Sequence, residues 1–320
     1  SEYANKVLEN RDDEINRCIS CLFCFDELNK GSQVVCAVNP LTGFECDYPE
    51  KEKPSQPKTV AIVGAGPAGV RAAIYLKKMG HNPVLFEESD RIGGQVKIGK
   101  NPPEKDYLNW FIEDNEKKLK DLGVDIRFGR KADANTVKEI NPDAVLIAVG
   151  AKPIIPNIPG VDSGNVYSVE QVLSGEVSIE NKTIAVIGSG LTGLEVAELL
   201  QLSGNKTIVV EMLDTIAPGA YMQNVMDVKS RLAEDKTEYL TSHKLIAIKD
   251  GAIELKNTKT EDISTRPVDA VVLSVGYRPD QAFIDSFKDT APVVYTIGDA
   301  DKVSNIGMAT RSGFQTAYKI

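Results

Sequence analysis

The sequence has fewer basic than acidic side chains, no long apolar run and very little histidine or cysteine. Its 320 residues include 46 acidic and 37 basic side chains, so the formal net charge is −9 at pH 7. A surface of that sign repels phosphate backbones and anionic lipid headgroups, which bind to basic patches. No apolar run approaches the roughly 18 residues of a membrane-spanning helix, and no signal-peptide pattern opens the chain. We therefore expect a cytoplasmic protein that binds neither nucleic acid nor membrane.

Histidine and cysteine are both scarce. The two histidines, His81 and His243, lie far apart in the sequence, and we interpret both as surface or structural side chains. Five cysteines are too few and too clustered for the disulfide scaffold of a secreted protein of this length. The fifth, Cys46, is interpreted as an ordinary thiol outside any pattern. The other four follow the spacing C-x2-C-x2-C-x11-C and are Cys18, Cys21, Cys24 and Cys36.

The spacing of these four cysteines favours an iron–sulfur cluster. Consecutive CxxC units bring three thiolates onto one tight loop, and a fourth from further along completes the ligand set. Zinc sites usually take their cysteines from two separate pairs. Three closely spaced cysteines with a more distant fourth are more typical of a [4Fe–4S] cluster. A structural zinc site and a disulfide remain as alternatives.

A linker follows this cluster segment, which we predict to cover residues 1–50. From Tyr48 the chain reads YPEKEKPSQPK, with three prolines and alternating charge. Such a composition is typical of an extended connection between domains. We therefore assign the linker to residues 51–57, with a domain boundary near residue 57.

The rest of the chain contains an internal repeat. Residues 59–88 align without gaps to residues 183–212, at a constant offset of 124. Each copy has a short apolar strand (TVAIV or TIAVI), the motif G-x-G-x-x-G, a helix with apolar residues at helical spacing, and a second apolar strand. That second strand ends at an acid, Glu87 or Glu211, which stands 23 positions after the first glycine.

The repeated motif is a dinucleotide-binding fingerprint. The first glycine permits a tight turn, the second lets the backbone approach a pyrophosphate, and the third lets the helix pack against its strand. The pyrophosphate lies at the helix N-terminus, and the acid accepts hydrogen bonds from the ribose. One GxGxxG would be weak evidence, but two in full strand–turn–helix–strand context are strong. The glycines are Gly64, Gly66 and Gly69 in the first copy and Gly188, Gly190 and Gly193 in the second.

Two nucleotide sites in one chain indicate a flavin paired with a nicotinamide. After the first copy, Gly94 and Gln95 of RIGGQ would let the backbone approach the flavin side. The apolar stretch DAVLIAVGAKP, residues 143–153, is predicted to be a strand that ends at Gly150. In VVYTIGDA, Asp299 follows a predicted buried strand and is placed to accept a hydrogen bond from a ribityl hydroxyl. A helix predicted from Ile306 to Tyr318 would direct its positive end towards the reduced flavin.

At these motifs the chain resembles the flavin/iron–sulfur enzymes that include 2,4-dienoyl-CoA reductase, 2-enoate reductase and trimethylamine dehydrogenase. The resemblance begins at NKVLENRDDEINRCISC and continues through CAVNPLTGFE, GAGPAG, GGQ, GSGLTGLE and TIGDA. It covers the C-terminal half of that family. It implies that NAD(P)H reduces FAD by hydride transfer to flavin N5, that a [4Fe–4S] cluster takes single electrons, and that an FMN in an N-terminal barrel acts on the substrate.

The same resemblance implies roles for individual residues. It assigns the four spaced cysteines to the cluster, and it implies no side-chain nucleophile or general base. Glu195, early in the second nucleotide helix, is a candidate for a position near the nicotinamide–flavin contact; the alternative is a solvated helix face. Residues falling on the family's FAD positions are Gly64, Gly66, Gly69, Glu87, Gln95 and Asp299, with Lys105 and Ala132 as further candidates from NPPEKDY and FGRKADA.

The sequence departs from the family because it has no barrel and no FMN site. We therefore expect a reductase module that passes electrons to an FMN-containing barrel domain or subunit. One alternative is a stand-alone NADH:acceptor oxidoreductase that reduces a carrier protein. Others are a module of the trimethylamine dehydrogenase type with bound ADP, and a non-catalytic nucleotide-binding module with zinc. A homo-oligomer is a further possibility.

Glu211 favours NADH over NADPH. It stands where a 2′-phosphate would lie, and EMLDTIAPG after it contains neither arginine nor lysine. A carboxylate there repels the phosphate and accepts a hydrogen bond from a free 2′-hydroxyl. A basic residue from elsewhere in the chain is the alternative that would reverse this preference.

The expected fold is α/β, with two Rossmann-like nucleotide-binding domains of the disulfide-reductase type after the iron–sulfur segment. The FAD-binding domain is expected to be discontinuous, at 58–152 and 277–320, with the NAD(H)-binding domain inserted at 153–276. Within the insert, residues 244–258 predict a hairpin across Asp250-Gly251. No CxxC lies within these domains, which disfavours disulfide-reductase activity itself.

Overall fold

Two parallel β-sheets, one around each copy of the repeat, organise residues 3–320, which are the residues described by this computed structural model. The α-helices of this range are α1 (Tyr3–Leu8), α2 (Phe23–Asn29), α3 (Pro67–Lys78), α4 (Val96–Gly99), α5 (Asn109–Asp121), α6 (Ala134–Lys138), α7 (Val169–Ser174), α8 (Leu191–Leu202), α9 (Met222–Arg231), α10 (Gln281–Asp285) and α11 (Ile306–Lys319). Short 3-10 helices lie at Asp12–Glu14, Asp106–Leu108 and Gly298–Ala300.

The strands are β1 (Thr59–Val63), β2 (Asn82–Phe86), β3 (Asp125–Arg127), β4 (Ala144–Ile147), β5 (Lys152–Pro153), β6 (Val166–Ser168), β7 (Thr183–Ile187), β8 (Lys206–Val210), β9 (Thr237–Leu240), β10 (His243–Lys249), β11 (Ala252–Asn257), β12 (Ile263–Pro267), β13 (Ala270–Leu273), β14 (Tyr277–Arg278) and β15 (Val293–Thr296). The predicted repeat is confirmed element by element. β1, α3 and β2 recur as β7, α8 and β8, each displaced by the same 124 positions.

The chain divides into two compact units. Within the described residues, the first unit comprises 3–97, Tyr107–Lys152 and Arg278–Ile320. The second comprises Ile98–Asp106 and Pro153–Tyr277. Each unit has its own apolar core, formed largely by its parallel strands and the helices that cover them.

The first unit is built on a five-stranded parallel sheet with the order β15-β4-β1-β2-β3. The side chains of Val60, Ala61 and Ile62 in β1 are fully buried, because neighbouring strands flank β1 on both sides and α3 covers one face. The strand before Asp299 was predicted to be buried, and this prediction was wrong. That strand, β15, is half-exposed because it forms one edge of the sheet and has a neighbour on one side only.

The second unit combines a parallel sheet with an antiparallel one. The five-stranded parallel sheet has the order β6-β13-β7-β8-β9, and β10, β11 and β12 form the three-stranded sheet. β10 and β11 pair in antiparallel register across Asp250 and Gly251, so the predicted hairpin is confirmed. The predicted final helix is also confirmed, in the first unit, as α11 at Ile306–Lys319.

Residues 3–50, here called the cysteine segment, pack on helices α3 and α11 of the first unit. A Cβ at Gly307, in the first turn of α11, would overlap the ring of Phe23, so the ring lies directly against the helix backbone. One turn on, the hydroxyl of Thr310 donates to the carbonyl oxygen of Ala37 at 2.8 Å. Tyr48 packs edge-on against Phe314, with 4.8 Å between ring centroids. The segment is thus held by the helices that also cover the first parallel sheet.

None of the helices in residues 3–320 combines the length and the hydropathy that crossing a bilayer requires.

Candidate cofactor-binding sites

At two positions of the first glycine loop, the backbone leaves no room for any residue other than glycine. Gly64 has φ +100°, and a Cβ there would lie 2.5 Å from the carbonyl oxygen of Ala148. A Cβ at Gly69 would overlap the carbonyl oxygen of Gly64. The first and third glycines therefore serve the tight turn and the contact between helix and strand, as predicted for this motif.

The middle glycine has no such requirement. A Cβ at Gly66 would meet, among the described residues, only the Cα of Gly94 at 4.0 Å. Gly66 is also the N-cap of α3, so the free N–H groups of the first helical turn point towards this space. Room beside the backbone at the positive end of a helix is what a bound pyrophosphate needs, so this loop fits a dinucleotide.

The GGQ loop closes over the first glycine loop. The N–H of Gly93 donates to the carbonyl oxygen of Ala65 at 2.8 Å. Gly94 has φ +53°, and a Cβ there would lie 3.1 Å from the Cα of Gly66. The structure therefore brings Gly94 against the candidate pyrophosphate site, and Gln95 beside it is exposed to solvent.

The acid of the first copy lies at the same end of the sheet. Glu87, only 7% exposed, accepts a hydrogen bond from the N–H of Ala65 at 2.8 Å. Its second oxygen accepts from both the N–H and the hydroxyl of Ser89, at 3.0 and 2.6 Å. Sequence reasoning missed Ser89, although a serine two residues after an acid is a common local hydrogen-bonding pair. These contacts hold the carboxylate beside the glycine loop, where the ribose of a dinucleotide is expected.

Asp299 and Gly150 border the same region of the first unit. Asp299 lies in the short helix Gly298–Ala300, and its carboxylate accepts from the N–H of Ser304 at 3.0 Å. Burial raises the pKa of this carboxyl group. Gly298 is close to the start of α3, because a Cβ on it would lie 2.7 Å from the Cβ of Ala68. Gly150 has φ +70°, and open space surrounds its Cα among residues 3–320.

The second glycine loop repeats the geometry of the first. Gly188 has φ +100°, and a Cβ there would overlap the carbonyl oxygen of Ser274, whereas a Cβ at Gly193 would overlap that of Gly188. A Cβ at Gly190 would have no neighbour within 4 Å among the described atoms outside its immediate chain surroundings. Gly190 is the N-cap of α8. This loop therefore also has room for a pyrophosphate at a helix N-terminus.

Glu211 is held by a buried serine. Its carboxylate accepts from the N–H and the hydroxyl of Ser189 at 3.1 and 2.8 Å, and from the N–H of Leu213 at 2.9 Å. The hydroxyl of Ser189 in turn accepts from the N–H of Ala217 at 3.0 Å. Sequence reasoning missed Ser189, which stands between the first two glycines. No sequence signal marks it, because that position of the motif accepts any small residue.

Two of the predicted FAD residues, Ala132 and Lys105, have side chains that contact other parts of the protein. Ala132 is 3% exposed and belongs to an apolar cluster with Phe86 and Val137, so only its backbone is available for a nucleotide. Lys105 lies in the second unit, where its ammonium pairs with the carboxylate of Glu195 at 2.6 Å.

Glu195 is buried, so the alternative of a solvated helix face was wrong. It is 7% exposed on α8, two positions after Gly193. Burial raises the pKa of the Glu195 carboxyl group, and the Lys105 ammonium opposes that rise. The next turn of α8 carries a second buried acid, Glu198, which pairs with Arg231 at 2.5 Å.

Cys18 and Cys21 lie on a tightly turned loop, Cys24 lies in the first turn of α2, and Cys36 follows that helix; Cys21 and Cys36 pack against the core of the first unit. Ser20 and Leu22, on either side of Cys21, have φ of +46° and +57°. Burial raises the pKa of the Cys21 thiol, and the other three cysteines of the pattern act on it in the same direction. Cys18, Cys24 and Cys36 are therefore each within electrostatic range of Cys21. Cys46 is exposed, and all five cysteines are free thiols.

Across residues 3–320, no three His, Cys, Asp or Glu side chains converge as ligands of one metal ion. A zinc ion would need its ligands within about 2.3 Å of a single point. A [4Fe–4S] cluster is ligated through four separate iron atoms, so its cysteines stand farther apart. The donor set present here, Cys21 with three thiols that act on it, is of the kind that a [4Fe–4S] cluster uses.

Comparison with known proteins agrees with this geometry. A family model described as pyridine nucleotide-disulphide oxidoreductase matches residues 58–313. The chain is 34% identical over 327 residues to the NADH oxidase of Thermoanaerobacter brockii, which covers 100% of this chain and 50% of that protein. It is 34% identical over 323 residues to the cinnamate reductase of Clostridium sporogenes, covering 100% of this chain and 48% of that protein. A solved structure of 2-naphthoyl-CoA reductase matches with a TM-score of 0.91 and 28% identity, over 99% of this chain and 48% of that one.

The chain thus spans about half the length of the relatives it matches. The resemblance predicted from the motifs is confirmed, because the matched part is the reductase half of enzymes of the enoate-reductase type. The Rossmann-like α/β fold is confirmed as well, and the family supports FAD and NAD(H) as cofactors. The chain belongs to the pyridine nucleotide-disulphide oxidoreductase family and is an oxidoreductase.

Proposed function

We propose that this chain is the NADH-oxidising module of a flavin/iron–sulfur reductase. In this proposal the first unit holds FAD, the second unit holds NAD(H), and the cysteine segment holds a [4Fe–4S] cluster. When bound, FAD supplies hydride acceptance from NADH and the cluster supplies one-electron transfer. The electrons pass to an FMN-containing barrel domain or subunit that reduces an activated alkene of the enoate or dienoyl-CoA type.

The observation that carries the proposal is the packing of the cysteine segment on α3 and α11. α3 begins at the glycine loop proposed for the FAD pyrophosphate, and α11 begins a few residues after Asp299. Phe23 lies against Gly307 of α11, and Ala37 accepts from Thr310 of the same helix. Arg71 of α3 donates to Val38, so the cysteine segment contacts both of these helices. A flavin site and an iron–sulfur site that share supporting helices are held at a constant separation, as electron transfer requires.

In this proposal, acidic side chains of the protein bind FAD and NADH and discriminate against NADPH. Glu87 accepts hydrogen bonds from the adenosine ribose of FAD, and Asp299 accepts from a ribityl hydroxyl. Glu211 accepts from the 2′-hydroxyl of NADH and repels the 2′-phosphate of NADPH. Hydride transfer requires no side-chain proton acceptor, which is consistent with glycine loops that contain no histidine.

The substrate class comes from the relatives and not from this chain. Reductases named for cinnamate and for 2-naphthoyl-CoA match almost all of this chain over about half of their own length. We infer an unsaturated acid or acyl thioester as the final electron acceptor of the complete enzyme, reduced in the barrel.

An anaerobic absorbance spectrum of the purified chain tests this function, with iron and acid-labile sulfide measured on the same sample. We expect flavin bands over a broad iron–sulfur absorption, with bleaching by NADH and much weaker bleaching by NADPH. A colourless protein, or one that releases ADP on denaturation, would contradict the proposal. If the bleached chain reduces a ferredoxin but not an added FMN barrel protein, the module serves a carrier protein and the proposed partner is wrong.

A further inference from the structure

Arg71 is a buried cation for which residues 3–320 supply no carboxylate partner. It lies in the middle of α3 and is 3% exposed. Its Nη2 donates to the carbonyl oxygen of Val38 at 3.0 Å, while its Nε has no hydrogen-bond partner within the described chain. Of the acids in residues 3–320, none forms an ion pair with this guanidinium. A buried charge is strongly unfavourable unless an opposite charge compensates it.

The second copy of the repeat has the compensation that Arg71 lacks. Arg71 and Glu195 occupy the same position of the repeat, 124 residues apart. Glu195 is buried to a similar degree, and Lys105 pairs with it at 2.6 Å. In the first copy the buried side chain at this position, Arg71, is positively charged. The group that compensates it should therefore be an anion.

The neighbours of Arg71 increase the positive charge in this region. The side-chain amide of Asn16 donates to the same carbonyl oxygen of Val38 at 3.2 Å, and the ammonium of Lys118 donates to Asn16. Burial lowers the pKa of Lys118 to about 7, and Arg71, Lys6 and Lys78 act in the same direction. Asp114 opposes this shift, and Glu14 lies 4.0 Å from the ammonium of Lys6, so the cation without a carboxylate among the described residues is Arg71 itself.

Arg71 lies near Cys36. Val38, which accepts from Arg71, stands two residues after Cys36. Burial lowers the pKa of Arg71, and Tyr75 and Cys36 are the groups that oppose this. Four cysteine thiolates around an iron–sulfur core carry a net negative charge, and this charge increases by one when the core accepts an electron.

We propose that Arg71 is the buried counter-charge of the [4Fe–4S] cluster and that it raises the cluster's reduction potential. The inference rests on the proposed function, because it requires the cluster. Reduction adds one electron, donated by the reduced flavin, and no bond to Arg71 forms or breaks. A fixed positive charge stabilises the more negative, reduced form and so favours electron entry. Arg71 is in this sense a positioning and tuning residue, not a ligand.

The test is a redox titration of the complete holoprotein, followed by the electron paramagnetic resonance signal of the reduced cluster. Arg71→Gln keeps a hydrogen-bond donor for Val38 and removes the charge, whereas Arg71→Lys keeps the charge. We expect the equilibrium constant for cluster reduction to fall about tenfold in R71Q, which is about 59 mV for a one-electron couple, and to change little in R71K. If R71Q does not fold, Arg71→Met is measured in its place, because it keeps the apolar bulk of the side chain.

Asn16→Leu is the matched control, since it removes a hydrogen bond to the same carbonyl oxygen without removing a charge. Equal potentials in R71Q and the parent, or a shift in N16L as large as in R71Q, would overturn the inference and leave the proposed function intact. A parent protein without iron and sulfide would overturn the proposed cluster and the inference with it. These two failures are distinguished by the iron content alone.

Discussion

The carboxylate of Glu211 is held by Ser189, which donates to it through both its N–H and its hydroxyl, at 3.1 and 2.8 Å. Ser189 lies between Gly188 and Gly190, so the serine joins the acid at the end of β8 to the glycine loop after β7. The carboxylate is therefore held at one place relative to the loop, and its charge bears directly on which nicotinamide coenzyme the site accepts.

Substituting Glu211→Gln should relax the preference for NADH. The amide keeps the shape of the side chain but no longer repels a 2′-phosphate. We expect the ratio of kcat/KM for NADPH to that for NADH to rise roughly tenfold, equivalent to about 1.4 kcal/mol. Steady-state reduction of an artificial electron acceptor with each coenzyme measures this ratio. Glu87→Gln, the same change in the first copy, is the control and should affect FAD retention without changing the ratio.

Substitutions at two glycines of the second loop should affect coenzyme binding and folding separately. Gly190→Ala adds a methyl group where the described chain leaves open space, so we expect unchanged stability and an increase in KM for NADH of about tenfold or more. Gly188→Ala places a side chain at φ +100° against Ser274, so we expect a loss of at least about 1–3 kcal/mol in the free energy of unfolding. Denaturant unfolding and coenzyme titration of both variants measure the two effects. Loss of stability in G190A without loss of affinity would argue against the dinucleotide site.

The pair Lys105–Glu195 should behave as one unit in a double-mutant cycle. Lys105→Met leaves a carboxylate that is 9% exposed without its cation, and breaking such a pair costs about 3–5 kcal/mol. Glu195→Gln in the same chain should restore most of this loss in urea unfolding. Because only Arg231 then opposes the rise in the pKa of Glu195 that burial causes, the deficit of K105M should grow as pH rises above the ordinary carboxyl range.

The same variants test whether Lys105 also binds FAD. If it does, K105M should lose FAD, and adding Glu195→Gln should not restore it. If Lys105 acts only on Glu195, FAD content should follow stability in both variants. The ratio of bound FAD to protein measures this directly.

His81 should make the protein less stable in mild acid. It is 6% exposed, and its Nδ1 accepts from the N–H of Lys58 at 3.2 Å, which requires the neutral ring. Burial lowers the pKa of His81, with Lys58 and Lys51 acting in the same direction. The unfolded state therefore binds more protons just below about pH 6.5, and stability falls as pH decreases through the folded-state pKa. In His81→Gln, the free energy of unfolding should decrease less between about pH 7 and pH 5; parallel curves for variant and parent would contradict this.

The nucleotide-binding loops could be predicted because their glycines obey local rules. Gly64 and Gly188 both have φ +100°, and Gly69 and Gly193 both contact their own loop carbonyl, so spacing along the chain already contains this geometry. The half-exposed state of β15 could not be predicted in this way. Its residues are apolar enough for a central strand, and only the strand order places it at an edge.

The partners of the buried charged side chains also could not be predicted from local sequence patterns. Glu195 sits on an apolar helix whose sequence does not distinguish a solvated acid from a buried one. Its cation, Lys105, lies 90 positions earlier in the chain. Ser189 was missed for a different reason, since the motif tolerates any small residue there and only the folded strand end brings Glu211 onto it.

The sequence by itself determined the two dinucleotide folds, because strand, glycine turn, helix and acid are specified within about 30 consecutive residues in each copy. It also determined the cysteine spacing. Only the tertiary structure decided what surrounds the equivalent positions Arg71 and Glu195. One is compensated by Lys105 and the other faces Val38 beside Cys36, because each neighbour comes from a chain segment outside the repeat. Identical backbone motifs thus acquire different electrostatic surroundings from the segments that pack on them.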